Sequence, residues 1–170
     1  MKKVSVGAAK PDKLFYVVAN GVIFRAEDSR CLILKRDERE KVHPGKWATI
    51  GGKLEHQDLG ISNPSRISGD VTEFDDSIPE LLRREALEES GVTIELPPRF
   101  ISSKVIVRGD GIPVVLLIFA ALYKSGEVRP EDGGFTDFAW VNADEIDKYD
   151  CVGSVADEVK ETIKLLEDFE

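Results

Sequence analysis

The alternation of apolar strand-like runs with three helix-like segments predicts an α/β (α+β) domain, with helices packed on a mixed sheet. Three observations carry this expectation. The stretches LFYVVANGVIF (14 to 24) and VVLLIFAALY (114 to 123) are rich in β-branched and aromatic residues, as strands are. A segment from Ser77 to Gly91 has helical start and stop signals. SVADEVKETIKLLEDF, near the C-terminus, puts Val155, Val159, Ile163 and Leu166 on one helical stripe.

Taken in order, 14 to 24 forms a strand, RAEDSR turns, and CLILKR (31 to 36) returns as its hairpin partner. KWATIGGK (46 to 53) is a short strand ending at a glycine pair, where the backbone bends or approaches a ligand closely. Residues 56 to 75, with Gly, Ser, Asn, Pro and Asp and little periodicity, form a long loop of the kind that is usually functional or mobile. The next helix opens with a capping box, Ser77 at the cap and Glu80 three residues on, with Pro79 in its first turn and Gly91 at its end. VTIEL, FISSKVIVR, VVLLIFAALY and FTDFAWVN are strands; ADEIDKY and the terminal segment are helices.

At 170 residues, 42% hydrophobic and 32% charged, the chain can bury one core and is expected to be a single domain, 1–170. A net charge of −9 argues against polymeric nucleic acid or an anionic membrane as partner. No apolar run has the length of a signal core or a membrane span, and Cys31 and Cys151 fit no CxxC pattern. The expectation is two free thiols in the cytoplasm.

The segment RREALEESG (83 to 91) gathers Glu85, Glu88 and Glu89 at spacing i, i+3, i+4. At about 100° per residue, Glu85 and Glu89 point between Leu81 and Leu82, and Glu88 just beyond Leu81. The carboxylates therefore share a side with leucines. Like charges so spaced cost about 0.2–0.5 kcal/mol each even when exposed, and partial burial raises the cost unless a cation is supplied. Two readings stay open on the glutamates alone: a solvated acidic face, or a site for a hard divalent cation held by oxygen ligands.

GGKLE (51 to 55) upstream, with REALEESGV (84 to 92), resembles the signature of the Nudix hydrolases. That signature runs Gly, five residues, Glu, seven residues, then Arg-Glu-U-x-Glu-Glu-x-Gly-U, with U bulky and apolar. Arg84, Glu85, Glu88, Glu89, Gly91 and Val92 match its second half; Ala86 is a small first U, and Ile50 stands where a proline is often found. Counting back seven residues from Arg84 reaches Asp76, which leaves 23 residues after Gly52 where the signature has five. The box thus contains an insertion at about 56–75, expected to serve as a lid or subunit contact.

The resemblance implies an α/β/α sandwich and hydrolysis of a diphosphate bond in a nucleoside diphosphate linked to another moiety, a nucleoside triphosphate or nucleotide sugar. It implies Mg²⁺, with Mn²⁺ as a substitute, held by Glu85, Glu88, Glu89 and the Gly52 carbonyl. Arg84 fixes a glutamate rotamer, and a homodimer is left open. The alternative is a Nudix-fold module that senses a nucleotide without turning it over. A related isomerase chemistry would need a catalytic cysteine, and neither Cys31 nor Cys151 stands in such a context. The stretch from Lys35 to Lys53 carries six Lys/Arg against three acids. Within it Arg36, Trp47 and Lys53 are the candidate substrate-binding residues, Arg36 because guanidinium meets phosphate bidentately, and His43 is a further pocket candidate. For a general base the late loop offers Glu131 and Asp137 first.

Overall fold

The computed structural model describes residues 4–168. Strand β1 (Tyr16–Arg25) is the centre of the sheet, followed by β2 (Arg30–Arg36), β3 (Trp47–Ala48) and β4 (Ile50–Lys53). A small hairpin of β5 (Arg66–Ser68) and β6 (Val71–Glu73) leads to helix α1 (Ser77–Ser90). Then come β7 (Thr93–Ile94), β8 (Arg99–Val107), β9 (Pro113–Ser125), β10 (Phe135–Val141) and helix α2 (Val155–Glu167). The main sheet runs β10-β2-β1-β9-β7, with β3 on β2, β4 on β1 and β8 on β9. It is mixed: β1 and β9 are parallel from Tyr16↔Val114 to Phe24↔Leu122, and the other pairs are antiparallel.

Period-two alternation makes this sheet the middle layer of a sandwich. Ala19 and Ile23 of β1 with Leu32 and Leu34 of β2 face one way, onto Leu81, Leu82 and Ala86 of α1. Val22, Phe24, Cys31 and Ile33, the residues between them, face the other way onto Val155, Val159, Ile163 and Leu166 of α2. The stripe read from the sequence is therefore the buried face of α2. Gly21 lets β4 and α1 approach β1, since a Cβ there would stand 2.9 Å from Ile50 and 3.4 Å from Leu82.

Four local expectations are corrected. KWATIGGK is two strands, broken at Thr49. Residues 56 to 75 are not one loop: they hold a 3-10 turn (His56–Asp58) and the β5–β6 hairpin, closed by Gly69 at φ +58° and Asp70. ADEIDKY forms only a 3-10 turn, Ile146–Lys148. Ser77 does not cap α1; it is the first helical residue, and its hydroxyl donates to the Phe74 carbonyl at 3.0 Å. Asp76, at φ +57°, takes the cap position and makes no side-chain capping bond, so the box spacing is out by one residue. The C-terminal end is as expected: Gly91, at φ +74°, donates its N–H to Leu87 at 2.9 Å. Both cysteines are free thiols. Among the described residues no helix is long and apolar enough to cross a membrane.

Candidate active site

Helix α1 lies across β4 so closely that a Cβ on Gly52 would overlap the Glu85 carboxylate, and one on Gly51 would overlap the Asn20 side chain. The glycine pair is thus the clearance that brings carboxylates to the sheet. A cleft of about 770 Å³ opens there, lined by Gly51, Gly52, Lys53, Asp58, Arg84, Glu85 and Glu88 among others. Behind it, a chamber of about 170 Å³ holds Glu89, Thr49 and His43, sharing Asn20, Arg36 and Gly51 with the cleft.

The three glutamates occupy three environments. Glu88 is exposed, its side chain at 56%. Glu85 is half-buried; burial pushes its carboxyl up, the Arg84 guanidinium offsets part of that, and Glu88 and Asp58 add to it. Glu89 is pushed up to about 8, by burial first and by Glu85 and Glu131 next, against a Gly51 N–H that donates to it at 2.9 Å. Among the described residues Glu89 forms no ion pair.

Arg84 organises this acid. Its guanidinium donates to Glu85 at 2.9 Å, lies 3.8 Å from Glu88, and binds Asp58 with the second amino group. Bonds to Glu85 first, then Asp58, raise it further above its ordinary value, so it stays charged. Asp58, its side chain only 5% exposed, is opposed by burial; the Glu55 N–H and Arg84 outweigh that and hold its carboxyl below the usual range. Asp76 is not at this site. The acid that meets Arg84 is Asp58, which follows Gly52 after five intervening residues, and counting forward from the glycine would have found it. Between Asp58 and Arg84 stand 25 residues, where the signature has seven.

The basic and aromatic candidates divide. Lys53 lines the cleft. Arg36 lines both hollows, but its guanidinium is held by the Val42 carbonyl and Glu40, each at 2.9 Å. Trp47 is a correction: it lines neither hollow, because β3 turns its ring into the α2 core, T-shaped on Tyr149 with centroids 4.9 Å apart. Glu131 is close enough to raise Glu89, and its backbone N–H bonds the Glu89 carbonyl at 2.9 Å. Asp137 is on β10 opposite Lys35, bonded to the Phe138 N–H, and lines neither hollow.

Among the described residues no three His, Cys, Asp or Glu side chains already converge at metal-binding distances. The donor chemistry nevertheless fits a hard cation. Glu85 and Glu89 are oxygen donors whose charge burial and mutual repulsion oppose, and a divalent ion removes that penalty.

An acidic helix packed on a glycine pair, with a second helix on the opposite face of one mixed sheet, defines the class of α/β/α sandwich to which the chain belongs. The family model for the NUDIX domain matches residues 15–163, and the chain belongs to the Nudix family. It is similar in fold to a MutT protein from Methanosarcina mazei Go1 (19% identity, TM-score 0.63, covering 93% of this chain and 99% of that one). A MutT NUDIX hydrolase from Burkholderia pseudomallei gives 21% identity and TM-score 0.61, over 88% and 98% of the two chains. The NUDIX domain of Shewanella oneidensis NrtR, complexed with ADP ribose, gives 13% identity and TM-score 0.67, over 95% and 96%. No curated protein matches the chain in sequence.

Proposed function

We propose that the chain is a Mg²⁺-dependent pyrophosphohydrolase, with Mn²⁺ as a substitute, acting on a nucleoside diphosphate linked to another moiety. The observation that carries this reading is Glu89: a carboxylate that burial pushes up to about 8, beside Glu85 and without an ion pair among the described residues. Such a group costs stability unless a cation joins it. Glu85, Glu88, Glu89 and the Gly52 carbonyl would hold the ion. When bound, it supplies charge neutralisation for the phosphates and a lowered pKa for water.

The chain's own residues do the rest. Arg84 fixes the Glu85 rotamer, with Asp58 anchoring its other side. Lys53, on the cleft wall, meets phosphate charge; Arg36 would do so after releasing Glu40. Glu131, beside Glu89, is the better placed of the late acids to take a proton from water. Two free thiols fit a reducing compartment, and we place the protein in the cytoplasm.

The rival reading is a nucleotide-sensing module; the NrtR domain, solved with ADP ribose bound, supports a nucleotide-type ligand under either reading. A Mg²⁺-supported hydrolysis screen over nucleoside triphosphates and nucleotide sugars, with products identified by mass spectrometry, separates the two. Turnover is expected, with Glu88→Gln and Glu89→Gln each losing at least about a hundredfold in kcat. Full kcat in either variant overturns the ligand assignment, and binding without turnover favours the sensor.

A further inference from the structure

Arg36 closes β2 where the cleft and the chamber meet, and it lines both. Its charge reaches Glu89, whose carboxyl it lowers against the burial that raises it. A cation so placed serves an anionic ligand, yet its guanidinium is already occupied. Nε donates to the Val42 carbonyl and Nη2 to the Glu40 carboxylate, each at 2.9 Å. Nη2 belongs to both two-point faces that a guanidinium offers an oxyanion, the side shared with Nε and the end shared with Nη1. Glu40 therefore holds the one nitrogen that every two-point contact with phosphate needs.

The backbone builds this hold. In the tight turn after β2 the Glu40 N–H donates to the Asp37 carbonyl at 3.1 Å, and the Asp37 carboxylate accepts the Arg39 N–H at 2.8 Å together with the Arg39 guanidinium. Asp37 is itself buried, and its N–H bonds the Gly134 carbonyl at 2.9 Å, in the same loop whose Glu131 N–H bonds the Glu89 carbonyl. With Arg39 taken by Asp37, the cation that Glu40 pairs with among the described residues is Arg36. Glu40 lines neither hollow, so it draws the guanidinium from outside the site. We propose that Glu40 is an internal competitor for the anion that Arg36 binds, a carboxylate that a phosphate group displaces before Arg36 grips it at two points. The inference rests on the diphosphate-hydrolase reading and deepens it: one anion exchanges for another at Arg36, and Glu40 sets how tightly the substrate is held without touching the reacting atoms. Both side chains are partly open to water, where an ion pair is weak enough for a phosphate to replace it.

The test is titration calorimetry of the non-hydrolysable α,β-methylene analogue of ADP, with Mg²⁺ present, against wild type, Glu40→Gln, Arg36→Met and the double variant. Glutamine keeps an acceptor for Arg36 and removes only the competing charge. Glu40→Gln is expected to bind about threefold tighter than wild type, and Arg36→Met about tenfold weaker. In the Arg36→Met background, adding Glu40→Gln should change affinity by less than about 1.5-fold. In hydrolysis, Glu40→Gln should lower KM about threefold rather than raise kcat, because the Arg36 contact is made in ground state and transition state alike. Unchanged or weaker binding by Glu40→Gln overturns the competition and makes Glu40 a support for Arg36, with hydrolysis left standing. Equal tightening with and without Arg36 overturns it as a general effect of charge, and so does absence of binding by all four proteins. If no nucleotide is hydrolysed while the analogue binds in the expected order, the enzyme reading falls and the competitor stands. Arg36→Gln repeats the comparison if Arg36→Met does not fold.

Discussion

Helices α1 and α2 pack on opposite faces of one sheet, and each carries a carboxylate into protein. On α2, Glu158 is 5% exposed, and Lys104 of β8 donates to it at 2.8 Å, with Ser154 adding a hydroxyl at 2.7 Å. On α1, Glu89 receives the Gly51 N–H alone and faces Glu85 and Glu131, with the Arg36 charge a weaker, opposing influence. Glu158 has a countercharge in contact, Lys104 of β8, and Glu89 has none within ion-pair distance among the described residues. A buried charge with an internal partner is part of the structure; a buried charge beside like charges waits for a cation from outside.

Substitutions at the two carboxylate sites should therefore fail in opposite ways. Glu89→Gln removes the charge that burial opposes, so the metal-free protein should melt no lower than wild type while kcat falls at least about a hundredfold. Lys104→Met strands Glu158 and should lower unfolding free energy by about 1–3 kcal/mol in urea, with little change in kcat. If Glu89→Gln destabilises the metal-free protein and spares kcat, the two helices do not differ in kind.

Titration sharpens the contrast. The folded pKa of Glu89, about 8, lies above its unfolded value, so the fold binds this proton more tightly than the unfolded chain does. The stabilisation it contributes is fully present below the ordinary glutamate range and is lost as pH rises through about 8. Metal-free Tm should accordingly fall between pH 5 and pH 8.5, by an amount equivalent to on the order of a few kcal/mol. Mg²⁺ competes with the same proton. Its affinity should rise over that window, with proton release on binding, so that Mg²⁺ raises Tm more at pH 8.5 than at pH 6. Calorimetric scans of wild type and Glu89→Gln check both; a Glu89→Gln profile as pH-dependent as that of wild type would assign the titration elsewhere.

Much of this asymmetry is readable in the residues. The wheel positions of Glu85 and Glu89 between Leu81 and Leu82 predict half-burial, and the α2 stripe predicts the apolar contact of Val155, Val159, Ile163 and Leu166 but not the burial of Glu158 beside it. Local turn chemistry was less legible. Ser77 and Glu80 have capping-box spacing, but spacing does not fix the direction from which the chain enters, and Asp76 in the left-handed region turns it. Trp47 has the composition of a ligand-stacking residue; only the short β3 ladder, which aims its ring at Tyr149, makes it core. The exposure of Leu14, Phe15 and Tyr16 was hidden for the opposite reason, because apolar residues opening a strand look like core until their neighbours are known.

The acid partner of Arg84 gives a smaller effect and a direct choice between two positions. Asp58→Asn leaves Arg84 free to swing from Glu85, so kcat/KM should fall about tenfold, as losses of orienting partners do. Asp76→Asn, outside the site, should stay within about twofold. The reverse order would restore Asp76 as the box acid.

The smallest effect is expected from the β5–β6 hairpin. None of residues 60–75 lines the cleft; the ties of segment 56–75 are through Gln57 and Asp58 to the cleft, and through His56 and Leu59 to the apolar hollow beside it that Leu14, Phe15 and Tyr16 wall. Replacing 62–73 with a short Gly/Ser linker shortens a loop whose closure entropy grows only with the logarithm of its length, so stability should shift by less than about 1 kcal/mol. With Asp58 and Leu59 kept, kcat/KM should remain within about threefold of wild type. A larger fall, or a change in oligomeric state by light scattering, would mean that the hairpin folds over the cleft or joins two copies, and that the exposed Ile67 and Val71 have a partner.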